Sequence, residues 1–83
     1  FPNPFKFQTT INYSVEQSQK LEISIYNSYG KKVKVLVDAI IRDGNYQVSW
    51  DGTDNSGSDA PKGLYLVQIS GSNGSVVKKI VKN

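Results

Sequence analysis

Leu21-Glu-Ile-Ser-Ile25 places an aliphatic side chain at every second position, with an acid and a hydroxyl between. Successive side chains of a strand point to opposite faces, so this stretch reads as a strand with one apolar and one polar face. The period of two extends outward in both directions. Upstream, Ile11, Tyr13 and Val15 alternate with Asn12 and Ser14. Downstream, Val33, Val35 and Val37 are expected to share a face opposite Lys32 and Lys34. Tyr46, Val48 and Trp50 alternate with Gln47 and Ser49, and Tyr65, Val67 and Ile69 lie opposite Leu66, Gln68 and Ser70. A last strand is expected over about Ser75 to Val81, where either face carries a lysine between aliphatics.

Turn signals separate these segments. They are Asn27–Gly30, Asp43-Gly44, the long polar loop from Asp51 to Gly63, and Ser72-Asn73-Gly74. Asn-Gly is a strong hairpin signal because both residues tolerate positive φ. A helical period is nowhere evident; at most one short helical turn fits near Asp38–Ile41. Short alternating strands at this spacing predict an all-β antiparallel sandwich of about seven short strands in one domain, residues 1–83. Pro2 and Pro4 lock φ and lack an amide donor, so residues 1–8 read as a linker-like opening segment.

Composition narrows the functional classes. The chain has 83 residues, no cysteine and no histidine, and a net charge of +3. Without thiols no disulfide or thiolate metal site can staple the domain. The usual nucleophile–base pairs are missing too, so no catalytic residue is assigned and no enzyme activity is expected. Paired carboxylates could do glycosidase work, but they would need a cleft that a domain this small has little room for. No apolar run approaches the roughly 20 residues of a membrane helix. Phe1 as first residue suggests a piece of something longer. Charge is uneven: lysines without acids run from Pro61 to Asn83, after a loop rich in aspartate. The mild excess of positive charge does not point to nucleic acid.

Two stretches remain as candidate sites. Asp51, Asp54, Asn55 and Asp59 form an oxygen-rich loop and are weak calcium candidates, since calcium takes hard oxygen ligands. Local turn bonds from the same side chains are the plainer reading, and no cofactor is expected. Tyr13, Tyr46, Tyr65 and Trp50 fall on the apolar phase, which favours packing over a stacking platform for glycans or bases, whereas Tyr26 and Tyr29 lie off it. The lysine-rich end reads as a blunted edge strand or as an address read by a receptor that adds a strand.

The ordered set Phe1-Pro-Asn-Pro-Phe5, Thr9-Thr-Ile-Asn-Tyr13, Ile23-Ser-Ile-Tyr26, Tyr29-Gly30-Lys-Lys-Val33, Trp50-Asp-Gly52 and Gly63-Leu-Tyr65, closed by a lysine-rich strand, resembles the C-terminal sorting domains of type IX secretion cargo. The resemblance implies an Ig-like sandwich that directs an upstream cargo in the same chain through the periplasm to the cell surface. Its implied partners are the outer-membrane translocon and a surface sortase. Recognition would map onto Gly63, Tyr65 and the tail Lys78, Lys79, Ile80, Val81 and Lys82, with Asn83 as a true C-terminus. Pro2, Asn3, Pro4 and Phe5 would be the structural opening motif, and any weak self-association would use the last strand. The Trp-Asp-Gly … Gly-x-Tyr block is also similar to the Ig-like domain of flagellar hook-capping proteins, which assists assembly of hook subunits. A passive spacer or carbohydrate-binding accessory module of a secreted enzyme is the third expectation.

Overall fold

A computed structural model describes residues 8–83. Its six strands are β1 (Thr9–Val15), β2 (Gln19–Asn27), β3 (Lys32–Ile41), β4 (Gly44–Trp50), β5 (Gly63–Gly71) and β6 (Gly74–Lys82). They form a two-stranded sheet, β1-β4, and a four-stranded sheet in the order β3-β2-β5-β6, with every pairing antiparallel. The chain is thus an antiparallel Ig-like sandwich, with six strands among the described residues where about seven were expected. The opening motif Pro2, Asn3, Pro4 and Phe5 lies outside the described residues.

Alternation builds the core as the sequence suggests. Ile11 and Val15 of β1, Leu21, Ile23 and Ile25 of β2, Trp50 of β4, Tyr65 and Val67 of β5 and Ile80 of β6 are buried in one cluster. Fully burying an aliphatic or aromatic side chain contributes about 1.5–3 kcal/mol, so these positions dominate the stability of a domain this small. Trp50 and Tyr65 meet edge to face with ring centroids 5.0 Å apart. That is a favoured arrangement, because ring edges are positive and ring faces negative.

Simple alternation fails along β3. Its register against β2 shifts between Ile23 and Ser24 and again between Ile25 and Tyr26. Each bulge inserts an unpaired residue and reverses the side-chain phase locally. Val33, Leu36 and Val37 therefore pack on the core, and Val35 does not join them. Asp38–Ile41, read as a possible helical turn, continues β3. The β5–β6 hairpin closes between Gly71 and Gly74, and its positive φ falls on Gly74 alone (+124°), no described non-glycine residue having one.

Candidate functional site

The loop from Asp51 to Lys62 leaves β4, crosses the end of the sandwich and enters β5. Trp50 fixes its start: the buried indole Nε1–H donates to the Thr53 carbonyl at 2.8 Å. Asp51 then turns the chain, its Oδ1 accepting from the Thr53 amide (3.0 Å) and the Thr53 hydroxyl (2.6 Å). These bonds hold the Asp51 carboxyl below its ordinary value of 3.8. Asp54 repeats the device one turn later. Its Oδ1 accepts from the Ser56 hydroxyl (2.6 Å), the Ser56 amide (2.9 Å) and the Ser58 amide (3.0 Å), which lowers that carboxyl too.

Asn55 reaches in another direction. Its amide donates to the Val33 carbonyl at 3.0 Å, and its side-chain oxygen accepts from the Val35 amide at 3.1 Å. The loop thereby pairs with the outer edge of β3, and Lys34 Nζ ties it down through Thr53 Oγ1 and the Asp54 carbonyl, each at 3.1 Å. An uncovered strand edge invites pairing with other chains, and the Val33–Val35 stretch of this edge is covered in cis. Among the described residues no group of three or more acidic side chains converges to hold a metal. Asp51 and Asp54 each use an oxygen for turn bonds, and Asp59 reaches a lysine.

That lysine is Lys82. It lies on the inner phase of β6, two residues beyond the buried Ile80, and is 5% exposed. Its ammonium donates to the Gly52 carbonyl (3.1 Å), to Asp59 Oδ1 (2.7 Å) and to the Ala60 carbonyl. A buried ammonium is tolerable only when acceptors replace its water, and an ammonium has three donors to satisfy. Gly52 makes room for it. The φ there is +81°, and a Cβ would stand 3.0 Å from Lys82 Cε. Beside this clamp the Tyr65 hydroxyl donates to the Pro61 carbonyl, and burial, then Asp59, pushes that phenol upward.

The positions singled out from sequence therefore separate into two sets. Tyr65, Ile80 and Lys82 are buried and join the loop to the last strand, with Val81 half-buried. Gly63, Lys78 and Lys79 are exposed. Trp50 and Tyr65, at 0% and 4% exposure, have no ring face to offer a ligand. Tyr13 and Tyr46 stack on each other at 5.5 Å beside a groove of about 750 Å³ that also reaches Ile69, Val76 and Lys78. Burial, then the neighbouring Tyr46, raises the Tyr13 phenol. The contacts of Asn55 with β3 and of Lys34 with the loop were missed. Their only sequence signal is Asn55's place in a turn, because the partners lie some 20 residues away.

A family model described as "FlgD Ig-like domain" matches residues 4–75. The chain is also similar to the basal-body rod modification protein FlgD of Escherichia coli (strain K12), with 38% identity over 69 residues. That alignment takes in 80% of this chain and 30% of the relative, so the chain spans under a third of the curated protein it matches. No solved structure matches the chain.

Proposed function

The chain belongs to the FlgD Ig-like domain family, and from that premise we propose that it serves as a non-catalytic assembly module of a longer protein, of the hook-capping type. The observation that carries the reading is the family match over residues 4–75, which takes in the sandwich through the β5–β6 turn. In this reading the domain presents a rigid sheet scaffold to protein subunits being placed outside the cytoplasm. The Asp51–Asp59 loop is then structural, closing the β3 edge and anchoring β6.

A second reading is favoured by one specific observation. The match ends at residue 75, the second residue of β6, so the lysine-bearing Val76–Asn83 lies beyond it. That segment holds Lys78, Lys79, Ile80, Val81 and Lys82 of the recognition residues implied by the resemblance to type IX sorting domains, while Gly63 and Tyr65 lie within the match. Under this reading the translocon and sortase are the partners, and the upstream cargo travels through the periplasm to the surface.

One pair of chimeras separates the two. In the first, this chain replaces the Ig-like domain of a hook-capping protein in a strain lacking that protein. Restored hooks are the expected result, and a folded, exported chimera that builds no hooks refutes the assembly reading. In the second, the chain follows a periplasmic reporter in a host with type IX secretion. Surface display of the reporter, lost in Lys78→Glu/Lys79→Glu, would replace the first reading by the second.

A further inference from the structure

The two sheets of the sandwich are unequal, and the smaller one leaves part of the larger uncovered. Val76 shares the inner phase of β6 with Ile80, which is 0% exposed, yet Val76 itself is 54% exposed. Ile69 follows the buried Tyr65 and Val67 on the inner phase of β5 and is only half-buried. Both lie in the groove of about 750 Å³ that Asn12, Tyr13 and Ser14 of β1 also line. β4 is the strand of the small sheet that approaches β3, so β1 stands on the side of β5 and β6. Among the described residues β1 pairs only with β4. Every second residue of Thr10–Val15 therefore turns its N–H and C=O outward with no further strand to meet them.

Open edges are normally blunted by charge, proline, a bulge or a covering loop. The β3 edge has Asn55 over Val33–Val35, and β6 carries Lys78 and Lys79. Thr10-Ile-Asn-Tyr-Ser-Val15 has no charge, proline or glycine, and its register with β4 is unbroken. We propose that β1 receives an extended segment of a protein partner as a third strand of the small sheet, with apolar side chains at alternate positions. The main chain selects a strand, because only an extended segment offers donors and acceptors at the spacing of the edge. A helix has its own main-chain groups paired internally. The groove selects the alternation. A strand about 4.8 Å beyond β1 and about 10 Å above the large sheet turns every second side chain onto Ile69 and Val76. A second copy fails this demand: β1–β1 pairing would bring up Ile11 and Val15, which are buried in that copy's own core. The inference does not depend on whether the longer protein is a hook cap or a sorted cargo.

The test uses the whole 83-residue chain and a synthetic peptide of about eight residues, valine alternating with threonine, joined to a serine-rich tail for solubility. A counterpart N-methylated at every residue keeps the side chains but has no main-chain donor. Two-dimensional amide NMR should show the first peptide shifting amides of Thr10–Val15 together with Val76. The outward amides of β1 should exchange with solvent more slowly in its presence. The N-methylated counterpart should do neither. Affinity should fall at least about tenfold in Val76→Asp, whose carboxylate the added strand would bury. Where Val76→Asp fails to fold, the peptide pair on the unaltered chain still decides. The proposal is overturned if the first peptide leaves these amides unmoved, or if the N-methylated one moves them equally. Shifts centred on another strand edge, or a dimer forming through β1 without peptide, also overturn it.

Discussion

Replacing Lys82 by methionine isolates the ammonium, because the unbranched stem and its packing are largely kept. Three acceptors lose their donor: the Gly52 carbonyl, the Ala60 carbonyl and Asp59 Oδ1. They do not weigh equally. The Gly52 carbonyl still accepts from the Ala60 amide at 2.8 Å. The Asp59 side chain is 83% exposed, so water takes the place of the lysine there. The remaining loss is the Ala60 carbonyl, beside a residue only 4% exposed. Leaving a buried acceptor without its donor costs about 1–3 kcal/mol. Replacing a buried ion pair by apolar groups is often neutral, but only when both partners are removed. Backbone carbonyls cannot be removed by substitution, so the loss should stand at about 2 kcal/mol. For a domain of this size that lowers the midpoint by about 8–16 °C. Circular dichroism melts and urea titration of Lys82→Met against the exposed Lys62→Met measure it. The control should stay within about 0.5 kcal/mol. A Lys82→Met loss equally small would refute the clamp.

Three further outcomes follow from the same loop. Asp51 and Asp54 are held acidic by their turn bonds. Their stabilisation is therefore present above the ordinary carboxyl value of 3.8 and fades as pH falls through the lowered folded values; Asp51→Asn/Asp54→Asn should flatten the acid limb of a melt-versus-pH curve, and an unchanged limb would count against it. Asn55→Ala removes the acceptor for the Val35 amide and should cost about 0.5–1.5 kcal/mol, with light scattering showing more self-association as the β3 edge opens. Gly52→Ala forces a side chain into φ +81° and against the Lys82 stem, so it should destabilise by about 1–3 kcal/mol; the φ strain and the stem both persist in Lys82→Met, so the two losses should largely add, which a double-mutant cycle reads.

What the sequence shows of this fold is what alternation shows. Leu21, Ile23 and Ile25, Tyr65 and Val67, and Trp50 are buried where the period of two puts them. Alternation is a local rule, and it fails where the register is set by another strand. Nothing in Val33-Lys-Val-Leu-Val37 announces two bulges; they exist because β3 must follow β2 and pack Leu36 as well. In β6 either face carries a lysine between aliphatics, so the pattern leaves open which lysine goes inward. Pairing of Tyr65 with Ile80 decides it and carries Lys82 into the interior. The acceptors that make this tolerable lie 30, 23 and 22 residues earlier in the chain. The Trp50-Asp-Gly52 motif was visible, but its reason was not: tryptophan ties the loop, aspartate turns it, and glycine leaves space for a lysine from the far end.

The same clamp changes how a role of the last strand can be tested. Deleting Lys78–Asn83 is the direct experiment for a targeting tail, yet it removes Ile80 at 0% exposure and Lys82 at 5%. Burying an isoleucine contributes about 1.5–3 kcal/mol, and the clamp about 2 kcal/mol more. Together these approach the whole stability of a small domain. A truncated protein that fails in assembly or export would therefore report unfolding as readily as lost recognition. Lys78 and Lys79 are exposed, Lys78 at the border of the Tyr13–Tyr46 groove. Lys78→Glu/Lys79→Glu should hold its midpoint within about 4 °C of the parent, the shift expected for under 1 kcal/mol. With folding preserved, loss of surface display would locate recognition in the tail's charge, and full retention would place it elsewhere on the sandwich. A midpoint drop as large as that of Lys82→Met would show that the tail cannot be altered at all without cost to the fold, and would refute the separation argued from exposure.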